Sequence, residues 1–115
     1  MAFTGQQLEK INLVWERYLI KTRQPEDIRD QVDVGMEIKN QSIIIFEIRP
    51  RWDNPEEKIN IPAAKTSYLK SLDIWKVYWM RGDLKWHPYN PHPAVGSFDV
   101  FLKVVHHDKY GCFWG

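Results

Sequence analysis

Apolar and polar residues alternate most regularly between residues 74 and 89, which read IWKVYWMRGDLKWHPY. Alternation of aromatic and β-branched residues with polar ones is typical of β-strands, because successive side chains of a strand point to opposite faces. The pattern breaks at Gly82-Asp83, two residues that favour tight turns. The segment therefore predicts a β-hairpin.

The register of this hairpin decides which side chains share a face. A two-residue turn sets Trp79 opposite Trp86 and Tyr78 opposite His87. One predicted face is then an apolar core face made of Trp75, Val77, Trp79 and Trp86. The other, which we call the basic aromatic face, is made of Lys76, Tyr78, Met80, Lys85, His87 and Tyr89.

Residues 4 to 22 have the pattern of an amphipathic helix. Thr4 and Gln7 form a capping box, and Phe3 with Leu8 matches the hydrophobic staple that accompanies such a box. Apolar residues recur at helical spacing at Leu8, Ile11, Trp15, Tyr18 and Leu19. This stripe predicts a helix that packs on a sheet.

Residues 31 to 39 and 42 to 52 predict two further strands, and two registers are open between them. The apolar positions of the first strand are Val32, Val34, Met36 and Ile38. A two-residue loop sets Val34 opposite Glu47, whereas a three-residue loop from Asn40 to Ser42 keeps one face wholly apolar. We therefore expect the three-residue loop, which pairs Ile38 with Ile44, Met36 with Phe46 and Val34 with Ile48.

That register places Asp33, Glu37, Glu47 and Arg49 on the opposite face. It sets Asp33 across from Arg49, where we expect an exposed ion pair worth at most about 1 kcal/mol.

The next segments are less regular. Residues 58 to 71 are compatible with a strand or a helix, and we favour a strand interrupted near Pro62, because the following hairpin needs a partner. A last helix is indicated by Phe98, Phe101, Leu102 and Val105. Ser97 is its expected N-cap, and Phe113 and Trp114 are expected to pack back against the core.

Together these elements predict an α+β fold, in the order α-β-β-β-β-β-α. We expect an antiparallel sheet of about five strands, with an N-terminal and a C-terminal helix packed on one face and the other face open to solvent. The length of 115 residues fits a single domain, residues 1 to 115.

The net charge and the cysteine content narrow the range of possible functions and cellular locations. The formal net charge of +1 argues against a protein held on duplex DNA by bulk charge. The single cysteine, Cys112, excludes an internal disulfide and suits a reducing compartment. No apolar run approaches a membrane span and no signal-peptide pattern is present, so we expect a cytoplasmic protein that does not bind membranes.

Three stretches together resemble one bacterial family, catalogued as domain of unknown function 3024. They are EIRPRWDNP (residues 47–55), AKTSYLKS with the following WKVYWMRGDLKWHPY, and the terminal DKYGCFWG. The resemblance covers nearly the whole chain. It implies a small bacterial protein that stands alone, and it supplies no catalytic residue.

One enzymatic interpretation remains open from the residues themselves. Asp33 and Glu47 on neighbouring strands, with Lys65 later, loosely resemble the PD-(D/E)xK nuclease arrangement, in which two carboxylates hold Mg²⁺ and a lysine orients the attacking water. Arg49 stands where the lysine belongs, and no proline precedes Asp33. We keep a metal-dependent phosphodiesterase as the alternative function.

Histidine and cysteine chemistry is not expected. His87 and His92 are five residues apart, and His106 and His107 are adjacent, so neither pair has the spacing of a structural zinc site. No cysteine-nucleophile signature surrounds Cys112. We predict no metal and no cofactor.

The leading prediction is a small non-enzymatic binding module that uses the basic aromatic face. Its predicted binding residues are Arg49, Lys65, Lys76, Tyr78, Lys85, His87 and Tyr89. Tyrosines interleaved with lysines suit single-stranded nucleic acid, where bases stack on rings. They also suit a protein partner or self-association, which we favour over nucleic acid.

Overall fold

The structure is a computed structural model that describes residues 2–22, Pro25 and residues 33–114. Within this range two helices and an antiparallel sheet confirm the predicted α+β class. In chain order the elements are α1 (Gly5–Thr22), β1 (Asp33–Lys39), β2 (Ser42–Pro50), β3 (Lys58–Leu69), β4 (Ile74–Met80), β5 (Trp86–Pro88), β6 (Ala94–Val95) and α2 (Phe98–His107).

The sheet has the strand order β1-β2-β3-β4, and all neighbouring strands are antiparallel. Strands β5 and β6 both pair with β4 along its remaining edge. Between them, the N–H of Val77 donates to the carbonyl of Pro93 at 3.0 Å, and its carbonyl accepts from the N–H of Tyr89 at 2.9 Å. One edge of the sheet is therefore completed by two short strands. Strand β6 was not expected from the sequence.

The predicted capping box opens α1. The N–H of Thr4 donates to Oε1 of Gln7 at 2.8 Å, and the N–H of Gln7 donates to Oγ1 of Thr4 at 3.2 Å. Phe3 is buried and Leu8 packs against the core, as the staple predicts. These contacts satisfy backbone groups that the first turn of a helix leaves unpaired.

Both helices pack on the same face of the sheet, which we call the helix face. The buried core joins α1, α2, the three central strands and the flanking segments: Phe3, Ile11, Trp15, Ile43, Ile45, Ala64, Val77, Tyr89, Phe98, Phe101, Leu102, Val105 and Phe113. The hydroxyl of Thr66 is fully buried and donates to the carbonyl of Lys76 at 2.8 Å, so this polar group is satisfied.

Helix α2 and the residues after it fold as expected. Ser97 caps the helix by accepting a backbone N–H of the first turn. The helix ends at His107, and its C-cap is Asp108, whose φ of 43° is left-handed. Its carboxylate accepts the N–H groups of Phe113 and Trp114 at 3.1 and 3.0 Å. Both aromatic residues are thereby held against the core.

The predicted register between β1 and β2 is wrong by one residue. Lys39 pairs with Ser42 across a two-residue loop, so Val34 lies opposite Glu47 and Asp33 lies opposite Ile48. The loop begins at Asn40, whose φ is 55° and which tolerates this conformation well. Val32, which was assigned to the apolar face, lies outside the described residues.

Residues 58 to 69 form one long strand, as favoured from the sequence. The interruption near Pro62 is a β-bulge, because Ile45 pairs with Ala64 while Phe46 pairs with Pro62. Ala63 is the extra residue. Side chains of a strand normally alternate between its two faces. The extra residue shifts this alternation by one position, so Pro62, before the bulge, and Lys65, after it, point to the same face.

The predicted register of the central hairpin is also wrong by one residue. Met80 pairs with Trp86 and Trp79 pairs with His87. The N–H of Arg81 donates to the carbonyl of Lys85 at 3.2 Å, which closes a three-residue loop. Trp86 therefore leaves the helix face, and His87 joins it.

None of the described helices combines the length and the apolar character needed to cross a membrane.

Candidate functional site

The sheet face turned away from the helices, which we call the open face, is the largest candidate binding surface. Its side chains alternate with the buried residues of β2, β3 and β4, and no described helix packs on it. Its central residues are Ile44, Phe46, Lys65, Lys76, Tyr78, Met80 and Trp86. Apart from Lys76, which is exposed, each of these residues is half-buried.

An apolar row crosses this face. Phe46 pairs with Gly35 on β1 and with Pro62 on β3, and Met80 pairs with Trp86 on β5. Residues that pair directly across antiparallel strands lie about 5 Å apart on the same face. The row therefore presents the ring of Phe46 on β2 and, toward the other edge of the sheet, the thioether of Met80 beside the ring of Trp86.

The next row is mixed. Ile44 pairs with Lys65, Lys65 with Tyr78, and Tyr78 with Pro88. The Nζ of Lys65 lies 5.6 Å from the centroid of the Tyr78 ring, within the range of a cation–π contact. This contact positions one positive charge at the centre of the face.

The third row is polar. Ser42 and Ser67 pair across β2 and β3, and their Oγ atoms are 2.7 Å apart in a hydrogen bond. Ser67 in turn pairs with Lys76, which is exposed. The open face thus grades from an apolar row to a polar, basic margin.

Of the predicted binding residues, Lys65, Lys76 and Tyr78 lie on the open face. Tyr89 does not. It is 1% exposed, its ring centroid is 4.7 Å from that of Phe113, and burial raises the pKa of its hydroxyl. Its assignment to an exposed face was wrong, because the register shift turns it into the core.

His87 and Lys85 also leave the predicted arrangement. The Nε2 of His87 is 2.8 Å from Oδ2 of Asp83. Asp83 also accepts the N–H of Lys85, so the pKa of this carboxyl lies below its usual value, first through His87 and then through Lys85. Lys85 lies in the exposed hairpin loop. The two residues brace the loop and do not form a stacking surface.

Arg49 lies on the helix face, away from the open face. Its Nε is 2.6 Å from Oε2 of Glu47, so the expected pair with Asp33 is replaced by a pair within β2. Lys65 lies on the opposite face of the sheet from Glu47. The candidate catalytic set of Asp33, Glu47 and Lys65 is therefore divided by the sheet.

Asp33 and Glu47 do line one shallow pocket of about 330 Å³, together with Arg49, Tyr18 and His106. The ring of His106 meets that of Tyr18 edge-on at 5.9 Å, and burial raises the pKa of the Tyr18 hydroxyl. Among the described residues, no three histidine, cysteine or carboxylate side chains come together in a way that could hold a metal ion.

Ile44, Phe46 and Trp86 are open-face residues that sequence reasoning missed. All three were assigned to the apolar core because each register was taken one residue off. The residues in the two turns were the part of the sequence that could have indicated the correct registers. The Asn at position 40 favours a two-residue loop between β1 and β2. The Gly-Asp-Leu sequence of the other loop gives no indication that Leu84 adopts a left-handed conformation.

Comparison with known proteins gives one match, which covers nearly the whole chain. A family model described as Domain of unknown function (DUF3024) matches residues 3–115. The chain belongs to this family. No curated protein and no solved structure matches it. The matched residues include both described helices and all six described strands, and the family's description assigns no activity.

Proposed function

We propose that the protein is a non-enzymatic interaction module that binds a protein partner through its open face. The observation that carries this proposal is the apolar row of Phe46, Met80 and Trp86, which stands on a sheet face that no described helix covers. Apolar faces of this kind are uncommon on a protein surface unless they bind something.

The composition of the face favours a protein over a nucleic acid. Interfaces between proteins have an apolar centre enriched in aromatic residues and methionine, with a polar rim. The open face contains both parts, the apolar row that includes Met80 and, two rows away, the exposed Lys76 at its polar margin. Aliphatic side chains offer no ring on which a base can stack, so they contribute little to single-strand binding.

A rigid sheet also suits this role. The side chains of Tyr78 and Trp86 stand on paired strands, so little conformational freedom is lost when a partner packs on them. We expect these two rings to be the energetic centre of the interface, since tyrosine and tryptophan are enriched among residues that dominate binding. We place the encounter in the cytoplasm.

Site-specific photo-crosslinking in cells tests the proposal. A photoreactive residue at Met80 is expected to capture a protein, whereas the same residue at Glu16, which is exposed on α1, is not. The captured protein is then titrated with purified variants. Trp86→Ala and Tyr78→Ala should each weaken binding by about tenfold or more.

Leu72→Ala is the matched control, because Leu72 is 66% exposed in a turn away from the open face. Binding that is equally strong in all three variants would refute the proposal. Nucleic acid captured at Met80, with chemical shifts at Tyr78 and Trp86 that weaken as salt is added, would replace the protein partner by a single strand.

A further inference from the structure

The loop between β2 and β3 presents a tryptophan to solvent. We call residues 51–57 the Trp52 loop; Trp52 is 93% exposed there. A large apolar ring left almost fully in water contributes nothing to the core of its own chain. Tryptophan is also the residue that most often anchors a protein interface. The exposure of Trp52 therefore indicates that this ring contacts the surface of a partner.

The Trp52 loop is held in one shape. The guanidinium of Arg51 bonds both carboxylate oxygens of Asp53 at 3.0 and 2.7 Å, and its Nη1 lies 2.8 Å from Oε2 of Glu57. The N–H of Arg51 donates to the carbonyl of Glu57, whose own N–H donates to the carbonyl of Asn54. A preorganised loop loses little entropy when it docks.

The Trp52 loop is acidic as well. It contains one basic residue, Arg51, and three acidic ones, Asp53, Glu56 and Glu57, which gives a formal charge of −2. A surface that receives Trp52 must therefore combine an apolar floor with positive charge.

A pocket with these two properties lies elsewhere on the same chain. It has a volume of about 370 Å³ and is formed by α2, the loop before β6 and the turn after α2. Pro91, Val100 and Val104 contribute apolar surface to it. We call it the basic pocket, for the reason given next.

The ionisable side chains that line this pocket, tyrosines apart, are all basic. They are His92, Lys103, His107 and Lys109. Lys103 also pairs with Asp99 at 3.3 Å, but both side chains are well exposed, so this pair is weak and Lys103 can exchange it for another carboxylate. No carboxylate belongs to the described residues that line the pocket.

We propose that the Trp52 loop of one copy of this chain docks in the basic pocket of a second copy. The indole would lie against Val100 and Val104, and the loop carboxylates would face Lys103 and Lys109. The contact joins two different surfaces. Made twice about a two-fold axis it closes a dimer, and made once it starts an open chain.

The expected association is weak. Burial of one tryptophan covers about 150–250 Å², whereas stable protein interfaces bury about 1,200–2,000 Å². Two loops docked about a two-fold axis still fall short of that area. Self-association should therefore depend on protein concentration and weaken as salt screens the charges.

Sedimentation velocity across a wide range of protein concentration tests the proposal. The wild-type chain is expected to exceed the monomer mass as concentration rises. Trp52→Ala should raise the dissociation constant by about tenfold or more. Val100→Glu adds a carboxylate inside the basic pocket and should have the same effect. Leu72→Ala, which removes an exposed apolar side chain outside both surfaces, should change nothing.

Mixing the two variants makes the test specific. A Trp52→Ala chain keeps an intact pocket and a Val100→Glu chain keeps an intact loop, so an equal mixture can form one of the two contacts and should associate more strongly than either variant alone. Val100 is 39% exposed in the first turn of α2, where an acidic residue is favourable, so this variant should fold.

Several outcomes would overturn the proposal. They are a wild-type chain that stays monomeric throughout, variants that associate like the wild type, or a mixture that stays monomeric. If the monomeric wild type instead shows chemical-shift changes at Lys103 and His107 with inorganic phosphate, the pocket belongs to a small anion. The open face is intact in every variant, so failure here leaves the proposed function untouched.

Discussion

The ring of Phe46 occupies the space in front of Gly35 on the neighbouring strand. A Cβ atom at Gly35 would lie 2.5 Å from Cε2 and 2.7 Å from Cζ of Phe46. The two residues pair directly across β1 and β2 on the open face. Glycine at this position therefore lets an aromatic ring lie over β1, which broadens the apolar row of the open face.

Gly35→Ala should destabilise the protein and disturb the open face. The added methyl group forces the ring of Phe46 to move, and overpacking of this kind costs about 1–3 kcal/mol. Chemical denaturation measures the loss. Gly96→Ala is the control, since a Cβ there meets nothing within 4 Å. In a double variant, Phe46→Leu should recover part of the loss; purely additive effects would argue against the contact.

Leu84→Gly should stabilise the protein by up to about 1 kcal/mol. Leu84 has a φ of 62°, a left-handed conformation that costs a residue with a Cβ roughly 1–2 kcal/mol. Its side chain is 78% exposed, so its loss removes little packing. The midpoint of urea unfolding reports the gain. Leu72→Gly, at an exposed turn position outside the left-handed region, should instead lose stability.

The same leucine explains why the hairpin register was not predictable. A three-residue hairpin loop needs its last residue in the left-handed region, where glycine or asparagine is usual. With Leu84 in that place, the sequence favours a two-residue turn at Gly82-Asp83. The side chain of Asp83 compensates by accepting the N–H of Lys85 and binding His87. These bonds join residues two and four positions apart, but they leave no trace in the alternation of apolar and polar residues.

The register of β1 and β2 failed for an electrostatic reason. A charged residue opposite Val34 looked unacceptable on an apolar face. Glu47 is tolerated there because Arg49 pairs with it at 2.6 Å at the rim of a solvent-open pocket. A prediction from hydrophobic alternation treats each position only as buried or exposed. It therefore takes no account of an ion pair at the edge of the core.

Local signals were more reliable. The capping box of Thr4 and Gln7 and the N-cap Ser97 act within four residues, and the structure shows each bond. The fold class followed because helix periodicity and strand alternation are set along the chain itself. The composition of the candidate site depended on which residues pair across strands. Because the register differs by one residue, Trp86 lies on the open face and Tyr89 lies in the core, the reverse of the prediction.

Acid should weaken the hairpin loop through Asp83. The hydrogen bond from His87, and then that from Lys85, holds the pKa of this carboxyl below 3.8 in the folded protein. A depressed folded pKa contributes stability that is present above the unfolded pKa and is lost as pH falls through the folded value. Asp83→Asn should therefore remove part of the pH dependence of unfolding below about pH 4.

The carboxyl carbon shift of Asp83 gives a direct check by NMR. Its titration midpoint should lie below 3.8 in the wild type and rise in His87→Ala, because the hydrogen bond that lowers this pKa most is then gone. A midpoint that does not respond to loss of His87 would show that the 2.8 Å contact is not maintained in solution.

Cys112 should react slowly with alkylating reagents in the folded protein. Burial, and after it the nearby negative charge of Asp108, raises the pKa of its thiol above 9.0. Only the thiolate is nucleophilic, so a higher pKa leaves less reactive sulfur near neutral pH. The pH dependence of the iodoacetamide rate should have its midpoint above 9.0 in native protein. The same chain unfolded in urea should react faster at each pH below that midpoint. Equal rates in the two states would mean that the C-terminal segment carrying Phe113 and Trp114 does not hold the thiol against the core.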